Sequence, residues 1–253
     1  MPTPHLSIVI PAYNEAQRLP KTLDEMTAYL AQQDFTWEII VVDDGSRDET
    51  AALAEEFARR APALRVIRNR HRGKACAVRT GVEQSRGAYV LFADADHATP
   101  ISEWAKLWPH FEQGYDVVIG SREGLGAVRH GEPFFRHLMG RVFNTVVRLL
   151  TVGNFQDTQC GFKAFRAAVA RDIFSRTRLY RDNGPETTEP MVTGFDVELL
   201  YLAVKRGYRV KDVPVQWYYS ATRNVNPLRD SWRNFKDVLS VRWNAWRGLY
   251  DVR

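Results

Sequence analysis

Tyr89-Val90-Leu91-Phe92-Ala93-Asp94-Ala95-Asp96-His97 passes from an apolar run straight into two carboxylates one residue apart. A run of this length suits a buried strand. The strand period of two then sends both acids toward the same side, where their charges repel unless a cation lies between them. Mg²⁺ or Mn²⁺ fits, because hard cations take a few carboxylate oxygens and leave the other positions to water and phosphate. The third party implied is a nucleotide diphosphate. Read in isolation, Asp-x-Asp also suits a solvated acidic turn, so its neighbours decide.

Outward from this stretch, apolar runs at 6–12, 37–42, 64–68, 89–93 and 116–120 alternate with helix-periodic segments at 16–33, 48–60, 74–85 and 102–113. Such alternation predicts an α/β fold with a mostly parallel central sheet flanked by helices. Ser46-x-x-Glu49 has the form of a capping box and puts Ser46 at a helix start. In open sheets of this class ligands gather beyond the carboxyl ends of the strands. Every one of those ends is polar here: Tyr13-Asn14-Glu15, Asp43-Asp44-Gly45-Ser46, Asn69-Arg70-His71-Arg72-Gly73-Lys74, Asp94/Asp96, and Ser121-Arg122.

Each rim residue has a chemical and a plain reading. Tyr13 offers a ring face to a base or is a packed aromatic. Asp43 or Asp44 accepts from a base N–H or closes an Asx turn. Glu15 suits the site or the first turn of a helix. Arg72 and Lys74 flank Gly73 where a helix begins, so cationic side chains and free backbone N–H groups can meet one diphosphate. The spacing matches neither a P-loop nor a GxGxxG fingerprint.

The chain has 253 residues, 45% of them hydrophobic and 26% charged, which suits one main domain with a substantial core. Its net charge is only +5, with Arg-rich stretches interleaved with aromatics concentrated in the second half. Two cysteines are too few for a disulfide framework, and no signal segment opens the chain, so the expected setting is cytoplasmic. No apolar stretch approaches the ~20 residues that cross a bilayer, so the expected membrane contact is peripheral, at the cytoplasmic face.

The ordered set Ile10-Pro11-Ala12-Tyr13-Asn14-Glu15, Val42-Asp43-Asp44-Gly45-Ser46, Arg72-Gly73-Lys74, Asp94-Ala95-Asp96 and Gly120-Ser121-Arg122 resembles the inverting family 2 glycosyltransferases of the GT-A fold. More narrowly, Leu91-Phe92-Ala93-Asp94-Ala95-Asp96, Asp157-Thr158-Gln159-Cys160-Gly161-Phe162-Lys163 and Phe195-Asp196-Val197-Glu198-Leu199-Leu200 resemble the dolichyl-phosphate β-glucosyltransferases. The similarity covers roughly residues 5–220. It implies transfer of glucose from UDP-glucose to a dolichyl or polyprenyl phosphate; the related mannosyltransferases would use GDP-mannose. It implies that Pro11, Tyr13, Glu15 and Asp43 surround the nucleoside, that Arg122 meets the phosphates and that Asp94 and Asp96 hold Mg²⁺ or Mn²⁺. With Asp44, Arg72 and Lys74, read from the rim chemistry above, and Asp94, these make up the expected nucleotide-sugar-binding set. Asp96 and Asp157 are the catalytic candidates, with Arg136 and Arg223 at the acceptor phosphate. For Asp157 the roles of base, acceptor-orienting carboxylate and loop acid all stay open. A polar third metal contact found in some relatives is replaced by Ala98, which leaves water or His97 to complete the metal shell.

Residues 134–150 and 228–250 both combine apolar residues at helical spacing with arginines, and the second is rich in tryptophan. Such helices either lie in a membrane interface or pack on the core. A catalytic domain over 1–226 and a basic, aromatic amphipathic segment over 227–253 is the division expected. Two other functional classes fit parts of the pattern. A nucleotidyltransferase also uses paired acids and a metal, and a non-catalytic module could bind a membrane surface or polyanion through the basic aromatic segments. No nucleic-acid partner is expected.

Overall fold

Strand β1 (Leu6–Ala12) is buried along its whole length, which is why LSIVIPA reads as an apolar run and not as an alternation. The computed structural model in which it lies describes residues 3–133, 155–180, 194–219 and 227–251, with eight further residues between 137 and 150; within the last span side chains are described from 232 onward. Helix α1 (Leu19–Leu30), β2 (Trp37–Asp43), α2 (Thr50–Arg60), β3 (Leu64–Arg68), α3 (Lys74–Gln84), β4 (Tyr89–Ala93), α4 (Trp104–Glu112) and β5 (Val117–Ser121) follow in the expected order. Then come β6 (Val128–His130), β7 (Phe162–Arg166), α5 (Ala167–Arg176), α6 (Phe195–Lys205), β8 (Val210–Pro214), β9 (Gln216–Tyr218) and α7 (Pro227–Trp246).

The main sheet has the order β3-β2-β1-β4-β7-β5-β8, and β6 pairs with β9 as a separate ribbon. Helices cover both faces. Val9, Ile40 and Phe92 face a core layer shared with α3, α5, α6 and Val238 and Val241 of α7. Ile8, Ile10 and Leu91 face the opposite layer, with Leu23 and Met26 of α1, Phe57 of α2 and Trp104 of α4. Alternate side chains of each strand therefore serve opposite layers, as the pleat requires. Among the described residues no helix is long and apolar enough to cross a membrane.

Strand β7 departs from the parallel pattern and shapes the site. It runs antiparallel to both neighbours, pairing Ala93 of β4 with Phe162 and Ile119 of β5 with Lys163. Its entry loop therefore arrives at the edge where β4 and β5 end. The residues before Phe162 lie beside Asp94 on one side and Arg122 on the other.

The capping-box expectation at Ser46 is not met. Helix α2 begins at Thr50 behind Glu49, and neither Ser46 nor Glu49 caps it. The Ser46 hydroxyl accepts the Asn14 N–H at 3.0 Å, while Asp48 Oδ1 accepts the Thr50 N–H at 3.0 Å. Ser46 is used to bind one strand-end loop to another, and the nearer Asp48 takes the helix N–H.

Candidate active site

The loop after β1 is fixed to the loop after β2 through side chains. Asn14 Oδ1 accepts the Arg47 N–H at 2.8 Å, Asp48 Oδ2 accepts from Ala16 at 3.2 Å, and Thr50 Oγ1 accepts from Glu15 at 2.7 Å. Asn14 has φ +54°, a left-handed conformation that asparagine tolerates and that turns the chain sharply off the strand. Pro11 is buried within β1, in register with Val42. Glu15 is buried and pairs with Arg18 at 2.5 Å; helix α1 starts only at Leu19, so Glu15 does not take the first-turn place that was its alternative reading.

Asp43 and Asp44, both buried, do different work. Asp43 receives the Ser46 N–H at 3.3 and 3.4 Å, closing the turn. Asp44 reaches across to the loop after β3. It accepts from His71 Nδ1 at 2.7 Å, from the Arg72 N–H at 3.1 Å and from the Gly73 N–H at 2.7 Å. Burial raises the Asp44 pKa, and these bonds work against that rise. The ring of His71 stacks on Tyr13 with centroids 3.7 Å apart and planes within 1°. One face of Tyr13 is thus occupied by a histidine to which sequence reasoning gave no role. An Asn at position 44 cannot accept all three N–H groups, so Asp44→Asn should lower stability by about 1–3 kcal/mol. Thermal unfolding checks this.

Gly73 precedes α3 at φ +93°, and Lys74 opens the helix and ion-pairs with Asp94. Behind Asp94 stands Gly161, in the entry loop of β7. A Cβ at Gly161 would lie 2.5 Å from Asp94 Cγ and 2.8 Å from Oδ1, so the carboxylate occupies space that only glycine leaves. Asp96 Oδ1 accepts the Ala98 N–H at 3.2 Å. These are two half-buried carboxylates, with an ammonium already drawn to one of them, and their oxygens are donors of the kind a hard cation takes. Asp94 and Asp96 suit Mg²⁺ or Mn²⁺ provided that diphosphate oxygens and water fill the remaining positions. Among the described residues no group of three or more His, Cys, Asp and Glu could hold a metal unaided.

His97 does not join this set. Its Nδ1 lies 2.7 Å from Glu25 Oε2, and its Nε2 accepts the Ile101 N–H at 2.9 Å. With both ring nitrogens committed it shapes the turn after Asp96, at φ +51°, and the expectation of a metal contact is withdrawn.

On the other flank of β7, Asp157 and Arg122 form a two-pronged ion pair. Arg122 Nε donates to Oδ2 at 2.6 Å, Nη2 to Oδ1 at 2.9 Å, and the Arg122 N–H to Oδ2 at 3.0 Å. Burial by itself would raise the Asp157 pKa, but the guanidinium prevails and holds the carboxyl well below the usual carboxylate range. The Arg122 guanidinium also lies 5.4 Å from the Trp217 ring centroid on β9, and Arg129 donates to the Arg122 carbonyl at 2.9 Å. Arg122 was expected at the donor phosphates; here its charge is satisfied by Asp157.

Lys163, fully buried, anchors the far end of the same loop. Its ammonium contacts the Cys160 carbonyl and pairs with Asp196, at the start of α6, at 2.6 Å. Burial pushes the Cys160 thiol up to about 11, which leaves it unreactive near neutrality. Arg136 and Arg223 lie outside the described residues. His71, Gly161, Lys163 and Trp217 are the positions whose part the residues alone did not disclose. His71, Gly161 and Lys163 stood inside quoted motifs, but their partners lie on other elements of the fold.

The sequence profile described as Glycosyl transferase family 2 matches residues 7–174. A dolichyl-phosphate β-glucosyltransferase of Drosophila melanogaster is 37% identical over 97% of this chain and 78% of its own length. One from Dictyostelium discoideum is 33% identical over 98% of this chain and 77% of its own. Among solved structures, glucosyl-3-phosphoglycerate synthase from Mycobacterium tuberculosis, in complex with Mn²⁺, UDP and glucosyl-3-phosphoglycerate, superimposes with a TM-score of 0.64 at 18% identity. That match covers 95% of this chain and 80% of the synthase chain.

Proposed function

The chain belongs to glycosyl transferase family 2, and from that premise we propose that it transfers glucose, with inversion, from UDP-glucose to the phosphate of a dolichyl or other polyprenyl lipid. It is a glycosyltransferase of GT-A fold. The observation that carries the finer reading is the placement of Asp94. It stands between Lys74 and Gly161 at the carboxyl edge of the sheet, where the entry loop of β7 also presents Asp157.

Asp94 and Asp96 would hold Mg²⁺ or Mn²⁺, which when bound neutralises the departing diphosphate. Lys74 sits at the same carboxylate and, with Arg72 and the start of α3, supplies further positive charge to the phosphates. The Tyr13–His71 stack and Asp43 border the nucleoside side. Inversion requires the acceptor oxygen to approach the anomeric carbon opposite the diphosphate, the side that the β7 loop and Asp157 border. A phosphate monoester with a second pKa near ~6 is already an anion at neutral pH, so no strong base is needed. Asp157, held ionised by Arg122, is a weak base and suits the task of fixing Arg122 and the acceptor.

The test is product mass after incubating the protein with Mg²⁺, polyprenyl phosphate and UDP-glucose, UDP-galactose, UDP-N-acetylglucosamine or GDP-mannose in separate reactions. The expected result is a hexosyl-phosphate lipid from UDP-glucose, abolished by EDTA. Product from GDP-mannose alone would move the chain to the mannosyl branch, and no lipid product from any donor would overturn the acceptor assignment.

A further inference from the structure

Helix α7 carries two unlike faces. Asn234, Asp237, Val238 and Val241 are buried against the core, whereas Trp232, Leu239, Trp243 and Trp246 are 59%, 45%, 57% and 77% exposed. With Lys236, the exposed residues recur at spacings of four and three, which confines them to a stripe about 80° wide on a helix. The exposed cations Arg242 and Arg247 flank this stripe, and the Lys236 ammonium lies 5.6 Å from the Trp232 ring centroid. Among the helix side chains described, the only acid is Asp237, and it is turned inward.

We propose that this outer face of α7 docks on an anionic lipid bilayer, with the tryptophans in the headgroup region and Lys236, Arg242 and Arg247 on lipid phosphates. Tryptophan at the boundary of water and hydrocarbon and cations at the surface are the two terms that hold interfacial helices to anionic membranes. A second copy of the chain is the poorer occupant, because a two-fold contact would set the same cations against one another.

The face is held rigidly to the catalytic core. Asp237 Oδ2 accepts from Tyr180 Oη and from the Gly194 N–H, each at 2.7 Å, and Tyr250, just beyond the helix, donates to the buried Glu198 at 2.7 Å. Docking the helix therefore sets the orientation of the whole sheet on the membrane, as a flexible tether would not. The proposal does not rest on the transfer reaction and would stand for a water-soluble acceptor.

The experiment is sedimentation of the full chain with phosphatidylcholine vesicles, with and without phosphatidylglycerol, in the absence of nucleotide and polyprenyl phosphate. Binding is expected only to the anionic vesicles, and high salt should reverse it. Lys236→Gln and Arg242→Gln should each weaken binding roughly fivefold. Trp243→Ala should weaken it about tenfold or more. Since these side chains are exposed, an unchanged melting temperature is expected and separates lost docking from lost folding. Failure of the parent chain to bind anionic vesicles at low salt would overturn the proposal. So would unchanged binding by Trp243→Ala/Trp246→Ala, or a solution dimer that this double variant dissociates. Vesicle binding without lipid glycosylation would count against the acceptor assignment and leave the docking face intact.

Discussion

Asp94→Asn is expected to lower kcat/KM for sugar transfer by about 10³-fold while the protein remains folded. The carboxylate is half-buried at the edge of the sheet, so its neutral isostere leaves the core undisturbed. What it removes is the negative charge on which Lys74 converges and which the proposed metal would require. Gly161→Ala tests the same centre without touching an ionisable group. The added Cβ would meet Asp94 Cγ at 2.5 Å and must push the carboxylate away. We expect it to raise the Mn²⁺ concentration for half-maximal UDP binding, measured by calorimetry, and to cut turnover about 10²-fold. Parent-like activity in Asp94→Asn would remove Asp94 from the donor site. Parent-like Mn²⁺ dependence in Gly161→Ala would show that the loop yields at no cost.

Asp157→Ala is expected to cost about 3 kcal/mol of stability, because it leaves the partly buried Arg122 guanidinium without its carboxylate. Denaturant unfolding measures this directly. The pH dependence has a defined sign. The folded pKa of Asp157 is depressed below its unfolded value near ~3.9, so the pair's contribution is fully present above that value and is lost as pH falls toward the folded pKa. The parent and Asp157→Asn should therefore differ most near neutrality and converge in acid. A gap that widened on acidification would contradict the ion-pair account. Asp157 also stays ionised across the working range, so the acid limb of the rate profile should follow the acceptor phosphate near pH ~6. An acid limb that disappears in Asp157→Asn would instead make Asp157 the base.

Periodicity alone placed β1 to β5 and α1 to α4, because each is a local pattern of burial against one or two faces. It did not disclose that β7 runs backwards between β4 and β5. Phe162–Arg166 is a buried strand like the others, and nothing within five residues states its direction. Local reading went wrong at Ser46 and His97 for one shared reason. Both residues have polar groups suited to a nearby role, a helix cap and a metal, yet those groups are engaged by Asn14 in one case and by Glu25 and the Ile101 backbone in the other.

The sequence by itself determined that acids, cations and an aromatic would crowd the carboxyl ends of five strands, since strand ends and their polar residues are contiguous in the chain. Only the tertiary structure decided which of them act as pairs. Lys74 with Asp94, Asp94 against Gly161, Arg122 with Asp157, and Tyr13 with His71 and Asp44 each join residues from separate strand ends. The physical reason is strand order. Register brings the entry loop of β7 between Asp94 and Arg122, and charges that are far apart along the chain then neutralise one another at contact distance.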